Sequence, residues 1–493
     1  MRKILVNKPS GEQAVLTLYD GGAYNDPANV LWDEQTDGPL PDGVMPGKMR
    51  RVGGSLVADS GYIPSHASFV AAASVPNVVP MKNARLALLD SDLLSAVDAH
   101  VQTLSDSDKI HWQYATEIRR DHPLVESVRN ALGWPDRRID DLFIAASKNY
   151  DATAGVKFHP GHYYTILDWG RDKGYYLADV KSELLATPAL RGVQARIFWN
   201  ETEVSEGVYD FSLIDNLLAE FSAIGKRLVI TLQTKTYLQD LLATPDYMTT
   251  PEYEGGSFQF SNPSNPSVAV GYSLKTWNAE VVKAFIRFIR QLGDRYNGHP
   301  FFEGICFIET TMSEPVDGTI TISQEQIDDY YKNLIEINRM SRLYFPNTMV
   351  CQFVNYPRTI LSWFVNDLKN IGSALGGPDV HPDDPGLTMF GNPNTPDGIY
   401  SYYSQLSGIV PLCPSVQPLN YLSTSKDGNG HTPTISELNA YARDVLHANY
   451  IFWTRQPGHY PGVLSHLNEP EQTADEFGGL NSQCPSSYYS CIV

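Results

Sequence analysis

The chain has 493 residues, 42% of them hydrophobic, and carries 37 Lys and Arg against 56 Asp and Glu, a formal net charge of −19. This length and composition are typical of a globular protein with two or three domains. The acidic balance excludes nucleic acid as a partner unless a local basic stripe exists, and we find none. No apolar run reaches transmembrane length, and the first residues lack the apolar core of a signal peptide, so we expect neither membrane insertion nor ordinary secretion.

The five cysteines predict neither a disulfide scaffold nor a metal centre. Cys306, Cys351 and Cys413 lie in apolar, strand-like runs, where cysteine behaves as a small hydrophobic residue. Cys484 and Cys491 flank a short polar segment, and they can either close a small loop or remain free thiols. No Cys/His cluster has metal-ligand spacing, so we expect no metal and no other cofactor.

Residues 1–77 are rich in Gly, Pro, Asp and Ser, with short β-like pieces at 14–19 and 54–58. Without a helical period, this composition predicts an extended or small-β segment. From residue 78 to residue 147 apolar side chains recur at steps of three and four, which predicts three or four short helices. Proline at 123 and at 135 supplies helix boundaries within that stretch.

The helical stretch 78–147 resembles a small module of tailed-bacteriophage tail and baseplate proteins. The residues that carry the resemblance are Met81–Leu89, Leu94–Asp98, Trp112–Ala115, Arg119–Val125 and Ile139–Phe143. The resemblance implies a virion tail protein, made in the host cytoplasm, that docks to other tail proteins through its N-terminal part and forms a homo-oligomer there. An ordinary helical bundle would show the same apolar period and is the alternative.

After residue 150 short apolar strands alternate with amphipathic helices, which is the pattern of a parallel α/β fold. Strands are predicted at 155–162, 192–199, 228–233, 304–308, 349–354, 373–379, 410–417 and 450–453. We therefore predict a (β/α)8 TIM barrel over residues 150–470, followed by a tail over 471–493. A doubly wound open sheet is the alternative, but it lacks its Gly-x-Gly-x-x-Gly turn here. The closing helix is weakly patterned over 461–477, which predicts an irregular end.

Glu309 is the strongest candidate for chemistry, because it follows the buried-type strand 304–308. Reactive groups of a parallel barrel gather at the C-terminal ends of its strands. A carboxylate there costs desolvation energy unless it is used or paired. A surface glutamate or a simple ion pair is the alternative interpretation.

Within the predicted barrel, Phe198–Asp215 followed by Gly225–Ile230 resembles the second and third repeats of (β/α)8 glycoside hydrolases. The similarity extends thinly over residues 155–455. It implies that a glutamate at the end of strand four is the acid/base, which by position is Glu309. Glu314 takes that place if Met312–Pro315 is aligned with the common Asn-Glu-Pro, but it lies five residues further into the loop and follows Ser313 instead of asparagine.

Glycoside cleavage needs a second carboxylate, as nucleophile or as base toward water. The retaining members of that superfamily carry it after strand seven, where this chain has Gln417 and no acid. Asp379 after strand six is the best substitute, although Pro-Asp pairs also cap turns, and Glu201 and Glu203 are further candidates. We expect Glu309 to carry the proton and Asp379 to stay ionised. Non-adjacent strands leave room for water, so we expect inversion at the anomeric carbon.

Sugars combine apolar C–H faces with many hydroxyls, so a sugar site needs aromatic surfaces beside amide or hydroxyl groups. The predicted strand ends supply both: His159, Trp199, Asn200, Gln233, Asn355, Gln417, Asn420, Tyr421 and Trp453. The long segment 234–274 adds further aromatics and predicts a wall beside the substrate. Any single aromatic among these fits core packing as well as sugar stacking.

These patterns predict a phage tail or baseplate protein whose barrel binds and hydrolyses a bacterial surface polysaccharide. One alternative is a non-catalytic glycan-binding protein on a degenerate barrel, which the missing acid after strand seven favours. The other is a purely structural tail component. The fold alone does not choose among the three, because barrels host many functions.

Overall fold

A computed structural model describes the backbone of residues 2–7, 13–18, 30–35, 49–52 and 55–58, and residues 77–90, 93–134, 138–139, 142–143, 146, 155–166, 176–388 and 396–492. The chain divides into two compact units, Met1–Lys148 and Asn149–Val493.

The first unit follows the predicted order of β-like pieces and short helices. Strand Arg2–Asn7 pairs antiparallel with Gln13–Leu18 and Val30–Gln35, and Met49–Val52 pairs with Ser55–Ala58. Strand Val78–Pro80 pairs with Glu117–Arg119. Helices lie at α1 Met81–Asp90, α2 Leu94–Val101, α3 Asp106–Tyr114 and α4 Pro123–Ala131. Val97, Val101, Leu124 and Val128, at the predicted steps of three and four, are buried in one core.

The second unit is a closed barrel of parallel strands, which confirms the predicted (β/α)8 fold. Its strands are β1 Gly161–Ile166, β2 Leu190–Phe198, β3 Arg227–Gln233, β4 Phe302–Phe307, β5 Met349–Phe353, β6 Ala374–Gly377, β7 Leu412–Val416 and β8 Tyr450–Thr454. We call the C-terminal ends of these strands the mouth and their N-terminal ends the floor. β1 begins six residues later than predicted.

Helices surround the strands: α5 Leu177–Ala186, α6 Ser212–Ser222, α7 Ala279–Tyr296, α8 Gln324–Tyr344, α9 Arg358–Ile371, α10 Tyr400–Leu406, α11 Ile435–Ala440 and α12 Tyr460–Leu467. Local sequence starts them: the Asn278 side chain accepts the first free N–H groups of α7, and Ser323 with Gln326 forms a capping box on α8. The irregular closure predicted over 461–477 holds only in part, since α12 follows β8 but ends at Leu467, and residues 468–477 form neither helix nor strand.

Two apolar layers hold the barrel together because successive strand residues point to opposite faces. Tyr163, Val229 and Phe452 pack in the lumen, whereas their neighbours Tyr164, Ile230 and Trp453 pack outward against the helices. The three free cysteines, Cys306, Cys351 and Cys413, are buried in the lumen, as predicted.

A buried ionic network closes the floor. The fully buried Glu303 carboxylate accepts from Arg227 Nη1 at 2.6 Å, from the Tyr450 hydroxyl at 2.6 Å and from the His159 backbone N–H at 2.7 Å. A buried charge is tolerated only with such pairing.

The C-terminal residues pack on the same floor. Cys491–Ile492 pairs in parallel with Val156–Lys157, and Cys484 is disulfide-bonded to Cys491. Tyr488 is 5% exposed and contacts Phe158 edge-on. The residues predicted as a separate tail therefore complete the core of this unit.

The predicted wall segment 234–274 ends in a hairpin, in which Ser257–Asn262 pairs with Asn265–Leu274. Across the ranges described above, no helix has both the length and the apolar character needed to cross a bilayer.

Candidate active site

Glu309 lies at the mouth, two residues beyond the end of β4, with its side chain 15% exposed. Its Oε1 pairs with Lys235 Nζ at 2.9 Å, and its Oε2 accepts from Asn355 Nδ2 at 2.6 Å. Lys235 follows β3 and Asn355 follows β5, so the two flanking strands supply the two donors. Both contacts stabilise the ionised carboxylate.

Lys235 was not identified from the sequence, and its side chain is only 1% exposed. Its ammonium donates to the Thr311 carbonyl at 2.8 Å and to Ser313 Oγ at 2.9 Å, in addition to Glu309. It therefore holds the loop after β4 in place. The signal was a charged residue just beyond the end of a predicted strand, the same kind of position that marked Glu309.

Tyr237 is a partly exposed aromatic beside the Lys235 ammonium that pairs with this carboxylate. Its ring centroid lies 5.1 Å from Lys235 Nζ, and Phe260 covers the same ammonium at 4.7 Å. Tyr237 is 40% exposed and contacts Phe260 edge-on. Both rings come from the segment predicted as a wall, and Tyr237 has the free surface that sugar stacking needs.

Asp379 lies two residues beyond β6, with its side chain 28% exposed. Burial raises the pKa of Asp379, the neighbouring His381 opposes this shift, and the negative charge of Glu309 adds to it. Both carboxylates lie two residues beyond the C-terminal ends of their strands, at one mouth. Their surroundings differ, because Asp379 has no cation in hydrogen-bonding contact among the described residues.

Asn420 positions Asp379. Its Nδ2 lies 3.3 Å from Asp379 Oδ1 and 2.9 Å from His381 Nε2. His381 Nδ1 faces the Ser423 carbonyl at 3.1 Å, which assigns the imidazole proton to Nδ1 and lets Nε2 accept from Asn420. The buried Asn420 also accepts from the backbone N–H of Gln417 at 2.6 Å.

Gln417 lies at the end of β7 and is hydrogen-bonded to a residue of β2. In the closed barrel, β8 and β1 lie between these two strands. Arg196 of β2 donates to Gln417 Oε1 at 2.6 Å, and Gln417 Nε2 donates to Ser415 Oγ at 2.6 Å. A neutral amide thus occupies the position at which the resemblance to retaining hydrolases implies a carboxylate.

The mouth brings together six of the residues named from the sequence: Glu309, Asp379, Asn355, Gln417, Asn420 and Gln233 at the end of β3. Their strands were predicted correctly, and parallel strand ends meet at one edge of a barrel.

Trp199 does not face the mouth. It is fully buried, its ring centroid lies 4.8 Å from that of Phe285 and 5.9 Å from that of Phe288 on α7, and its indole N–H donates to Glu203 Oε2 at 2.7 Å. Arg196 points into the barrel, so Trp199, at the opposite parity, points out of it. Its assignment as a stacking surface is corrected.

The assignments of Trp453 and Tyr421 to the substrate site are also corrected, because both rings are buried. Trp453 is fully buried on the outer face of β8, where its indole N–H donates to His162 Nδ1 at 3.0 Å. Tyr421 is 2% exposed, stacks on His459 at 5.0 Å and donates to the Thr454 carbonyl at 3.0 Å. Neither ring has a free face for a ligand.

His159 lies on the floor, at the opposite end of the barrel from Glu309. It precedes β1 instead of ending it, its Nδ1 lies 3.1 Å from the Tyr163 hydroxyl, and its backbone N–H binds Glu303. Burial lowers the pKa of His159 to about 2, which keeps it neutral. Its assignment to the substrate site is corrected.

The remaining candidates have local structural contacts. Asn200 Nδ2 donates to the Leu242 carbonyl at 2.8 Å, which braces the long segment after β3. Glu201 accepts from the Phe198 backbone N–H at 3.3 Å. The buried Glu203 accepts from Trp199 and from the Gly207 backbone N–H at 2.9 Å, and burial raises its pKa. Glu314 is exposed. Among the described residues, no group of three His, Cys, Asp or Glu side chains is placed to hold a metal ion.

No protein-family model and no curated protein matches the sequence. Among solved structures, the chain is similar to the β-amylase catalytic domain of Paenibacillus polymyxa, at 11% identity and a TM-score of 0.40, covering 62% of this chain and 98% of that one. It is also similar to endo-glycoceramidase II of Rhodococcus sp., at 13% identity, a TM-score of 0.37 and coverage of 62% and 76%. A third is the β-galactosidase of Marinomonas ef1, at 9% identity, a TM-score of 0.43 and coverage of 65% and 61%. Similarities this low carry no argument about activity.

Proposed function

We propose that the barrel hydrolyses an O-glycosidic bond, with Glu309 and Asp379 as the two carboxylates. One observation carries the proposal: the two carboxylates lie at one mouth but have different surroundings. Glu309 is bound by the Lys235 ammonium and the Asn355 amide, which favour its ionised form. The pKa of Asp379 is raised by burial, which favours its protonated form. Two carboxylates in surroundings that differ in this way supply an acid and a base.

The expected roles are therefore the reverse of those predicted from the sequence. Asp379 donates its proton to the leaving glycosidic oxygen. The ionised Glu309 either attacks the anomeric carbon or removes a proton from an attacking water. β5 lies between the two strands that carry them, so we propose the water-mediated route with inversion of the anomeric carbon.

The substrate we propose is a bacterial surface polysaccharide. Tyr237 offers an exposed ring beside the Lys235 ammonium that pairs with Glu309, and the amides of Asn355 and Gln417 lie at the same mouth. Such a set suits a sugar, which has apolar faces and hydroxyls. The setting we propose, a phage tail in which residues 78–147 dock a homo-oligomer to other tail proteins, rests on sequence resemblance.

A panel of purified bacterial polysaccharides tests the proposal through the release of reducing ends. Glu309→Gln and Asp379→Asn should each lower the rate by about a hundredfold or more, the range of acid–base contributions. Glu314→Gln is the matched control, since it makes the same change five residues away in the same loop on an exposed side chain, and it should leave the rate unchanged. Wild-type activity should fall as the pH rises through the pKa of Asp379, because the acid must be protonated.

A non-catalytic glycan receptor is the second candidate, and Gln417 favours it, since an amide held by Arg196 stands where retaining hydrolases carry a carboxylate. Binding without release of reducing ends, retained in Glu309→Gln, would establish that function instead. Equal hydrolysis by wild type and Asp379→Asn would remove Asp379 from the mechanism.

A further inference from the structure

A groove runs along the outer wall of the barrel between α9 and α10, away from the strand ends that form the mouth. It has a cavity volume of about 360 Å³. The side chains that line it and are used below are Ser362, Trp363, Asn366, Lys369, Tyr402 and Gln405. Ligand sites for small molecules fall in this range of size.

Trp363 gives the groove an exposed aromatic surface. Trp363 is 39% exposed, whereas Trp112, Trp199, Trp277 and Trp453 are each less than a tenth exposed. The adjacent Phe364 is fully buried and contacts the Trp363 ring edge-on, with centroids 5.6 Å apart. The indole is thus anchored at one edge while it remains accessible in the groove.

Tyr402 of α10 supplies a second ring on the opposite wall. It is half-buried, and burial raises its pKa, so it keeps its hydroxyl proton at neutral pH. A tyrosine in this form offers both an apolar ring and a hydrogen-bonding hydroxyl. Each of the two helices therefore contributes one aromatic ring to the lining of the groove.

The other lining groups are polar and almost uncharged. Asn366 and Gln405 carry exposed amides, Ser362 an exposed hydroxyl, and Lys369 is the charged side chain among the lining residues. Of the residues that the structure describes, no Asp or Glu lines this groove, in a chain whose net charge is −19. Amides and hydroxyls beside aromatic rings match the alternating polar edges and apolar faces of a sugar ring.

We propose that this groove is a second saccharide-binding site, which holds a segment of a neutral glycan against Trp363 and Tyr402. It lies on helices that follow β5 and β6, so a bound chain leaves the strand ends free. The site goes beyond the proposed hydrolysis, and its occupancy does not require that the mouth be catalytic.

Affinity electrophoresis of the full chain tests the site, in native gels that contain amylopectin, xyloglucan, glucomannan, dextran or glycol chitin. Glu309→Gln is used as the parent so that no probe is degraded. At least one of the five should retard the parent, and Trp363→Ala should weaken that retardation by about tenfold in dissociation constant, the effect of losing roughly 1.4 kcal/mol of stacking. Trp363→Tyr should restore part of it, because a ring face returns.

Tyr489→Ala is the matched control, since Tyr489 is 77% exposed and does not line the groove; it should bind like the parent. Tyr237→Ala separates the mouth from the groove, because it should leave the Trp363-dependent retardation in place. Absence of retardation by all five glycans, or equal retardation of the parent and a folded Trp363→Ala variant, overturns the proposal. Retardation that depends on Trp363 in a protein without hydrolytic activity would retain this site and reject the proposed activity.

Discussion

At the scale of single residues, the two carboxylates of the mouth differ in what surrounds them. Glu309 has a cation and an amide within hydrogen-bonding distance of its two oxygens. Asp379 has the weaker contacts to Asn420 and His381, which offset the effect of burial only in part, so its pKa is raised. A residue type alone does not assign acid or base; the neighbouring donors do.

The raised pKa of Asp379 has a consequence for stability that does not depend on catalysis. A carboxyl whose pKa is higher in the folded state stabilises the fold at low pH, and this contribution is lost as the pH rises through the folded-state value. Asparagine does not ionise. Asp379→Asn should therefore raise the melting temperature relative to wild type at pH 7 to 8, and the gain should shrink toward zero at a pH below the unfolded-state pKa.

Thermal denaturation at a series of pH values measures this difference. Asp328→Asn serves as the control, because it makes the same substitution on an exposed side chain of α8. A gain for Asp379→Asn that is largest in acid would contradict the assignment of Asp379 as the carboxyl with the raised pKa.

At the scale of elements, strand parity decides which side chains a ligand can reach. Phe452 packs in the lumen and Trp453, one residue later, packs against the helices. A shift of one residue moves a side chain to the other face of a strand. Tyr237, after β3, and Trp363, on α9, lie outside the strands, and each keeps a partly exposed ring.

Substitutions should separate the two classes of aromatic residue. Trp199→Ala and Trp453→Ala remove fully buried rings and should each lower the free energy of unfolding by about 3–5 kcal/mol, as for large-to-small changes in cores. Tyr237→Ala removes a partly exposed ring and should cost less than about 1 kcal/mol, while it weakens glycan binding at the mouth. Urea denaturation and glycan binding measure the two effects.

Trp199→Phe is a useful control, since it keeps most of the ring but leaves Glu203 without the indole donor. Its free energy of unfolding should fall between those of wild type and Trp199→Ala. A Trp199→Ala protein as stable as wild type would return that residue to the list of candidate ligand contacts.

At the scale of the whole molecule, the chain divides near residue 149, and the second unit carries its own core and its own floor. The last residues belong to that floor, where Tyr488 is buried and Cys491–Ile492 pairs with Val156–Lys157. We predict that residues 149–493 fold alone as a cooperative unit, in agreement with the boundary expected near residue 150.

Circular dichroism and thermal denaturation of that fragment test the prediction. A fragment ending at residue 483 should melt at a lower temperature, because it lacks the Tyr488 ring, whose burial is worth about 3 kcal/mol or more. A molten or insoluble 149–493 product would place the boundary elsewhere. Equal melting temperatures for the two fragments would show that the final strand contributes nothing to the floor.

Local patterns in the sequence determined the order and class of the elements. Apolar strand runs alternating with capped amphipathic helices predicted the barrel, and the carboxylates after strands four and six were placed at its mouth from strand order alone. These inferences hold because strand and helix periods are local, and because parallel strand ends share one edge of a barrel.

Tertiary structure alone decided the start of β1, the parity of each strand end and the partner of each charge. His159 lies on the floor and not at the mouth, because β1 begins only at Gly161. Trp199 and Trp453 point away from the lumen, because their neighbours in the chain point into it. Lys235 pairs with Glu309, which lies 74 residues later in the sequence. Register and charge pairing are relations between distant segments, and the free energy that selects them arises only when those segments pack together.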